Sequence, residues 1–101
     1  MIETDRERAI IASELSRPYL RRHVRLRFDA IRKRHVVLAP EKLLWPDEIG
    51  VRILTLCDGD HTVGDIADKL AEEYDAPREV ILGDVLEFVQ EWSDKLLLKL
   101  D

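Results

Sequence analysis

Residues 62–94 read TVGDIADKLAEEYDAPREVILGDVLEFVQEWSD, and this stretch decides the fold because it encodes two consecutive helices. Thr62 and Asp65 are spaced as in a capping box, where each side chain can accept a hydrogen bond from the other residue's backbone amide. Apolar residues then recur at helical spacing as far as Tyr74. Pro77 suits the first turn of the next helix, because an amide hydrogen there would have no intrahelical partner. The pattern predicts a second helix of this pair that runs to about residue 94 or 95.

An earlier helix is expected just before this pair. Asp47 is a suitable N-cap, and Gly59 can adopt the left-handed conformation that often ends a helix. The apolar residues between them fall at i, i+4, i+7 and i+8, on one helical face: Ile49, Ile53, Leu56 and Cys57. The chain therefore contains three predicted helices in succession.

Before Asp47 the apolar period changes from helical to two, which is typical of half-buried strands. We predict a strand from Val24 through Phe28, a second at about 34–38 that pairs with it as a hairpin, and a short third at 42–45, closed by Pro46. So short a third strand is expected at a sheet edge. The fold class is α+β and winged helix-turn-helix-like, with three short N-terminal β-strands followed by three α-helices. Residues 1–17 are predicted to be a flexible tail or linker, 18–96 the domain, and 97–101 a C-terminal tail.

Charge is segregated along the chain. Residues 17–35 hold eight basic residues and one acidic residue, a local charge of +7, whereas the whole chain of 101 residues carries −5. The rest of the chain therefore sums to −12. The third helix, at 78–95, has five acidic and two basic residues, and an acidic helix is repelled by DNA phosphates. Nucleic-acid binding through the basic hairpin is therefore the less favoured alternative.

The third helix carries two apolar stripes. Its core stripe is predicted to contain Ile81, Val85, Phe88 and Trp92, and its second stripe Leu82, Leu86 and Val89. If the second stripe lies beside the edge strand, the two would form a groove in which an extended peptide could add itself as a further strand. The alternatives are that the second stripe fills the space between helix and sheet, or that it packs in a homodimer.

The chain resembles the PqqD family of peptide chaperones in pyrroloquinoline quinone biosynthesis. The resemblance rests on Leu38-Ala39-Pro40-Glu41, on the spaced pattern from Ile53 through Leu70, and on Asp84-Val85 followed by Phe88-Val89. It implies no catalysis. It also implies that the precursor peptide PqqA binds along the third strand and third helix and is presented to the radical-SAM enzyme PqqE. Some family members are fused behind the PqqC oxidase, so residues 1–17 could be a linker from such a fusion.

The predicted site combines the edge strand, the third helix and the hairpin. Its peptide-binding residues are Lys42, Leu43, Leu44, Trp45, Arg78, Leu82, Leu86 and Val89, and its electrostatic-steering residues are Arg25, Arg27, Arg32 and Arg34. The positive charge of the hairpin would speed the capture of an acidic peptide. The expected oligomeric state is a monomer or an edge-paired or domain-swapped dimer.

No enzymatic constellation is predicted. His23, His35 and His61 lack the spacing of a metal site, the four glycines form no phosphate loop, and no cofactor is expected. Cys57, the single cysteine, is expected in the core. No apolar run approaches the roughly 20 residues that span a bilayer. A cytoplasmic location is therefore expected.

Overall fold

A computed structural model describes residues 11–101. In chain order the elements are β1 (Tyr19–Leu20), β2 (Arg25–Asp29), β3 (Arg34–Ala39), β4 (Lys42–Leu44), α1 (Glu48–Thr55), α2 (Val63–Tyr74), α3 (Arg78–Asp94) and β5 (Leu98–Lys99). The α+β class and the order of a small sheet followed by three helices are as predicted.

The three predicted strands form one antiparallel sheet in the order β2-β3-β4. In its register Leu26 lies opposite Val37 and Val37 opposite Leu44, so these three side chains share the face that packs on the core. Arg25, Leu38 and Leu43 lie opposite one another on the other face, which is exposed at all three positions.

Two further strands were not predicted. β1 and β5 pair antiparallel, with Tyr19 opposite Lys99 and Leu20 opposite Leu98. Each has only two residues, which is too short for an alternating pattern to be recognised in the sequence. Their pairing brings the two ends of the domain together.

The predicted N-caps of α1 and α2 are present, but α1 ends at Thr55 with Leu56 as its C-cap, earlier than the predicted end at Gly59. The Asp47 side chain accepts from the amide of Gly50 at 2.8 Å. Thr62 and Asp65 form the reciprocal capping box, with both nitrogen-to-oxygen distances at 3.0 Å. Asp75 ends α2 in the left-handed conformation, at φ 51°. These local bonds fix where α1 and α2 begin, whereas Pro77 precedes α3 without a side-chain cap.

The core lies between the helices and the inner face of the sheet. Its fully buried side chains come from every layer and include Val37, Ile53, Ile66, Leu70, Val85, Val89 and Leu98. Cys57 is also buried, as expected, and burial raises the pKa of its thiol to about 12. The thiol is therefore neutral in the folded protein.

The proposed domain boundaries need correction at both ends. Residues 97–101 are not a tail, because Leu97 and Leu98 are buried and β5 belongs to a sheet. Within the expected N-terminal tail, Ser16 is buried and accepts at its carbonyl from the amide of Val63 at 2.8 Å. The amide of Ala12 donates to the side chain of Gln90 at 2.7 Å. The remainder of that tail, residues 1–10, lies outside the described residues.

Candidate functional site

β4 forms an edge of the central sheet, as predicted. Among residues 11–101 it pairs with β3 alone, so its other side has no strand partner. Leu44 points toward the core, opposite Val37, and is half-buried, while Leu43 points outward and is 58% exposed. The strand therefore offers main-chain hydrogen-bonding groups together with apolar side chains on both faces.

The middle of α3 lies close to the residues that follow β4. Gly50, at the start of α1, is buried, and a Cβ placed there would lie 3.1 Å from Cε2 of Phe88 and 3.2 Å from Cβ of Pro46. The absence of a side chain at Gly50 lets the helices approach this closely. Phe88 is in turn stacked on Trp92, with ring centroids 5.0 Å apart. These contacts fix α3 beside the segment that leaves the edge strand.

The second stripe of α3 is divided between core and surface. Leu82 and Leu86 are half-buried and pack against the core, as does Leu44 of β4. Val89 is 0% exposed, so its assignment to the peptide groove is wrong. Its side chain is enclosed by the protein and has no surface left for a ligand. In the core stripe, Val85 and Trp92 are buried, and Ile81 and Phe88 are partly buried and pack against the core.

Trp45 connects the predicted peptide site with the predicted steering residues. The guanidinium carbon of Arg34 lies 5.1 Å from the centre of the Trp45 ring, and that of Arg32 lies 5.5 Å from it. Both distances suit cation–π attraction. The half-buried Trp45 ring is therefore held against the turn end of the hairpin.

The hairpin turn is organised by Asp29. Its carboxylate accepts from the backbone amides of Ile31 and Arg32 at 3.0 and 3.1 Å, and it forms an ion pair with the Arg32 side chain at 3.0 Å. The backbone amide of Arg32 is the main cause of the lowered pKa of Asp29. Arg32 is thus partly committed to its own turn, whereas Arg25 and Arg27 are exposed on the outer face of β2.

Arg78 already binds carboxylates of the protein itself. Its guanidinium forms ion pairs with Asp68 of α2 and Glu14 of the N-terminal segment. The hydrogen bond to Asp68 is the main cause of the raised pKa of Arg78. A peptide carboxylate would have to displace one of these partners, so the structure gives Arg78 an intramolecular role.

One neighbour of the site was missed by the sequence analysis. The sequence assigned Leu38 to a strand and to the family motif but not to the site, whereas the register places it opposite Leu43 on the outer face, where it is 38% exposed. Alternation places Leu38 on the same face as Val36 and on the opposite face from Val37, but it does not show which of the two faces packs on the core. Its position beside Leu43 depends on strand register, which the sequence alone does not specify.

The described part of the chain offers neither a cluster suited to a metal ion nor a helix suited to crossing a membrane. Residues 11–101 contain no group of three or more histidine, cysteine, aspartate or glutamate side chains placed to hold a metal ion. No helix in the same range has the length and apolar character needed to cross a membrane.

Fold and site together define a small α+β domain whose distinctive surface is an unpaired sheet edge near a partly apolar helix face. Residues 34–98 match the family described as coenzyme PQQ synthesis protein D (PqqD). The chain belongs to the PqqD family, which confirms the family predicted from the sequence.

Similar proteins agree with this assignment. The chain is 52% identical over 88 residues to the PqqA binding protein of Bradyrhizobium diazoefficiens, covering 87% of this chain and 85% of that protein. It is 43% identical over 82 residues to the bifunctional coenzyme PQQ synthesis protein C/D of Methylorubrum extorquens, covering 81% of this chain and 22% of that longer protein.

Solved structures show the same fold. The solution structure of the PqqD truncation of Methylobacterium extorquens PqqCD, described as a functional and stand-alone recognition element for ribosomally synthesised and post-translationally modified peptides, matches with a TM-score of 0.77 and 40% identity. That match covers 89% of this chain and 96% of the truncation. The crystal structure of PqqD from Xanthomonas campestris matches with a TM-score of 0.55 and 38% identity, covering 84% of this chain and 94% of the other.

Proposed function

We propose that this chain binds a precursor peptide of the PqqA type as an additional strand along β4, performs no catalysis itself, and presents the peptide to a radical-SAM enzyme of the PqqE type. The observation that carries the proposal is the unpaired side of β4, which bears Leu43 and Leu44 and leads to Pro46, a residue that lies with Phe88 of α3 around Gly50. Membership of the PqqD family and the name of the Bradyrhizobium relative support PqqA as the peptide.

β4 is a better acceptor than β2, the other edge of the same sheet. β2 carries Arg25, Arg27 and Asp29, and charged side chains on an edge strand discourage further pairing. The side chains of β4 are Lys42, Leu43 and Leu44. A peptide strand on β4 gains apolar contacts as well as main-chain hydrogen bonds, whereas on β2 it would lie among charges.

Three contributions to binding follow from this geometry. Main-chain hydrogen bonds to β4 supply affinity with little dependence on the peptide sequence, and side-chain contacts with Leu44, Leu82 and Leu86 supply selectivity. The exposed Arg25 and Arg27 raise the rate at which an acidic peptide is captured, an effect that salt weakens.

The exposed face of α3 argues against the nucleic-acid alternative. Asp84, Glu87, Glu91 and Asp94 are all exposed on that helix. Phosphate groups approaching this face would be repelled. A peptide strand on β4 requires no contact with it.

The test is to methylate the backbone amides of the PqqA peptide from Bradyrhizobium diazoefficiens one at a time and to measure affinity by calorimetry. Only every second amide of an added strand faces its partner strand, so we expect affinity losses with a period of two. Methylations that weaken binding with helical spacing, or with no periodicity, would contradict strand addition. A duplex DNA of equal charge is the parallel control, and we expect it to bind more weakly than the peptide at every salt concentration.

A further inference from the structure

A concave pocket with a volume of about 410 Å³ lies at one end of the central sheet. We call it the basic pocket. Its cationic lining comes from Arg21, Arg22 and Lys99, with His23 beside them. β1 and β5 bring these residues together, since Tyr19 pairs with Lys99 and the amide of Arg21 donates to the carbonyl of Leu97 at 3.0 Å. The pocket therefore exists only because of the two strands that the sequence did not reveal.

The electrostatics of the basic pocket favour an anion. No carboxylate side chain is among its lining residues. The Nε of Arg21 is buried and has no hydrogen-bond partner within residues 11–101. A buried donor without an acceptor is costly, and this one gains an acceptor from the pocket only if the Arg21 side chain turns toward the ligand.

Part of the pocket wall is apolar, and two of its residues have an unusual backbone conformation. Tyr19, Val24 and Leu96 contribute apolar surface, and Leu96 is 66% exposed. His23 and Leu96 have φ angles of 91° and 63°, in the left-handed region that non-glycine residues seldom occupy. Such conformations concentrate at ligand sites because the surrounding structure must hold them. The apolar wall would suit the methylene groups of an acidic side chain or of a residue next to a chain terminus.

The basic pocket lies near the start of the edge strand. Val24 precedes β2, and Pro40, which follows β3, precedes Lys42 of β4 by two residues. Two residues of chain span at most about 7 Å, and an added strand would lie about 4.8 Å beyond β4. Because β3 lies between β2 and β4, the cationic residues that lead into β2 are about three strand spacings, or about 14 Å, from an added strand, a distance that about four extended peptide residues can span.

We infer that the basic pocket binds a carboxylate of the same peptide, supplied by residues that flank the segment paired with β4. This inference rests on the proposed function. The carboxylate could belong to an aspartate or glutamate side chain or to the peptide's C-terminus, and the pocket would recognise the same chemistry in either case. Its binding would fix the direction in which the peptide lies along the edge.

The experiment is a set of double-mutant cycles between pocket and peptide. Arg22→Met and Lys99→Met each remove one exposed cation from the pocket, and Lys69→Met on α2 removes an exposed cation elsewhere. Each variant is titrated with the Bradyrhizobium PqqA peptide, with versions in which single Asp or Glu residues become Asn or Gln, and with a C-terminal amide. Thermal melting checks that every variant is folded.

We expect Arg22→Met or Lys99→Met to weaken binding by about fivefold or more, and Lys69→Met to change it by less than about twofold. The peptide version that lacks the carboxylate bound by the pocket should also bind more weakly to the wild-type protein. The pocket variants should weaken the binding of that version little further, because the carboxylate that the pocket binds is already absent. Side-chain and terminal carboxylates are distinguished by which version this is.

The inference is wrong if all three protein variants weaken binding equally. It is wrong, too, if the losses of affinity caused by the protein substitution and by the peptide change are additive for every peptide version. It is also wrong if a folded pocket variant binds as well as the wild type does. Failure of the wild-type protein to bind the peptide at all would refute the proposed function, and the role of the pocket with it. Retained binding without any pocket effect would refute the pocket alone.

Discussion

The division of the second α3 stripe into a buried and a half-exposed part predicts that Val89 and Leu86 have separable roles. Val89→Ala removes two carbon groups from a side chain that is 0% exposed. At about 0.8 kcal/mol for each, the lost burial destabilises the protein by about 1.6 kcal/mol. A residual cavity of about 50 Å³ would add about 1.2 kcal/mol at roughly 24 cal/mol per Å³. We therefore expect a loss between about 1.6 kcal/mol, if the site collapses fully, and about 2.8 kcal/mol, if it does not.

Leu86→Ala is the matched comparison on the same helix. Leu86 is partly buried before any peptide binds, so peptide binding can bury at most about a third of its surface. Full burial of a leucine is worth about 1.5–3 kcal/mol, and a third of it about 0.5–1 kcal/mol, or roughly two- to fivefold in the dissociation constant. Val89→Ala has no such surface to lose, and we expect its peptide affinity to stay within about twofold of the wild type.

Urea unfolding and peptide calorimetry on both variants measure these differences. If the slope of the unfolding free energy against urea concentration is unchanged, only the stability of the variant has altered. The reasoning is refuted if folded Val89→Ala binds the peptide at least fivefold more weakly, or if its free energy of unfolding falls by less than about 1 kcal/mol. It is also refuted if Leu86→Ala binds normally.

Three further predictions concern single groups or small sets. Cys57, with its pKa raised to about 12 by burial, should not react with Ellman's reagent at pH 8 in the native protein and should react fully in urea; rapid native labelling would show that the thiol is accessible. The backbone amides of His61 and Asp60 lower the pKa of Asp58 from 3.8 to about 2. Its carboxylate should therefore stabilise the fold at pH values above 3.8, and this contribution should be lost as the pH falls toward 2. An Asp58→Asn variant whose stability loss is the same at pH 2 and pH 6 would contradict this. Replacing Arg25 and Arg27 together by Gln should slow peptide association at low salt and have little effect on dissociation; stopped-flow rates that are unchanged, or changed equally by Lys69→Gln, would contradict electrostatic steering.

Local signals in the sequence predicted much of the fold. The Asp47 cap and the Thr62 capping box involve residues three positions apart, so their hydrogen bonds can be inferred without knowing the tertiary structure. The period-two pattern from Val24 through Phe28 likewise predicted β2 and its pairing with β3 as a hairpin. Features of this kind depend on short-range geometry that the order of residues nearly determines.

The features that were missed depend on distant parts of the chain. β1 and β5 pair residues about 80 positions apart, and neither strand is long enough to show a period. The ion pair of Arg78 with Glu14 spans 64 positions. The sequence therefore could not show that Arg78, predicted to bind the peptide, is already paired within the protein. Such pairings require the tertiary structure.

Val89 was misassigned for a related reason. A helical pattern shows which residues share a face, but it does not show how many neighbours the helix has. α3 packs against both α2 and β5, so its core-facing surface is wider than one stripe. Val89 lies within that wider surface, whereas Leu82 and Leu86 lie at its margin.

The most direct test of the proposed function is amide hydrogen exchange, resolved by residue, with and without the PqqA peptide of Bradyrhizobium diazoefficiens. A strand added to β4 should slow exchange in alternate amides of residues 42–44, because amides that face away from β3 gain a partner, and it should leave β2 unchanged. Protection confined to Arg25–Asp29 or to the outer face of α3, with residues 42–44 unaffected, would contradict peptide binding at this edge.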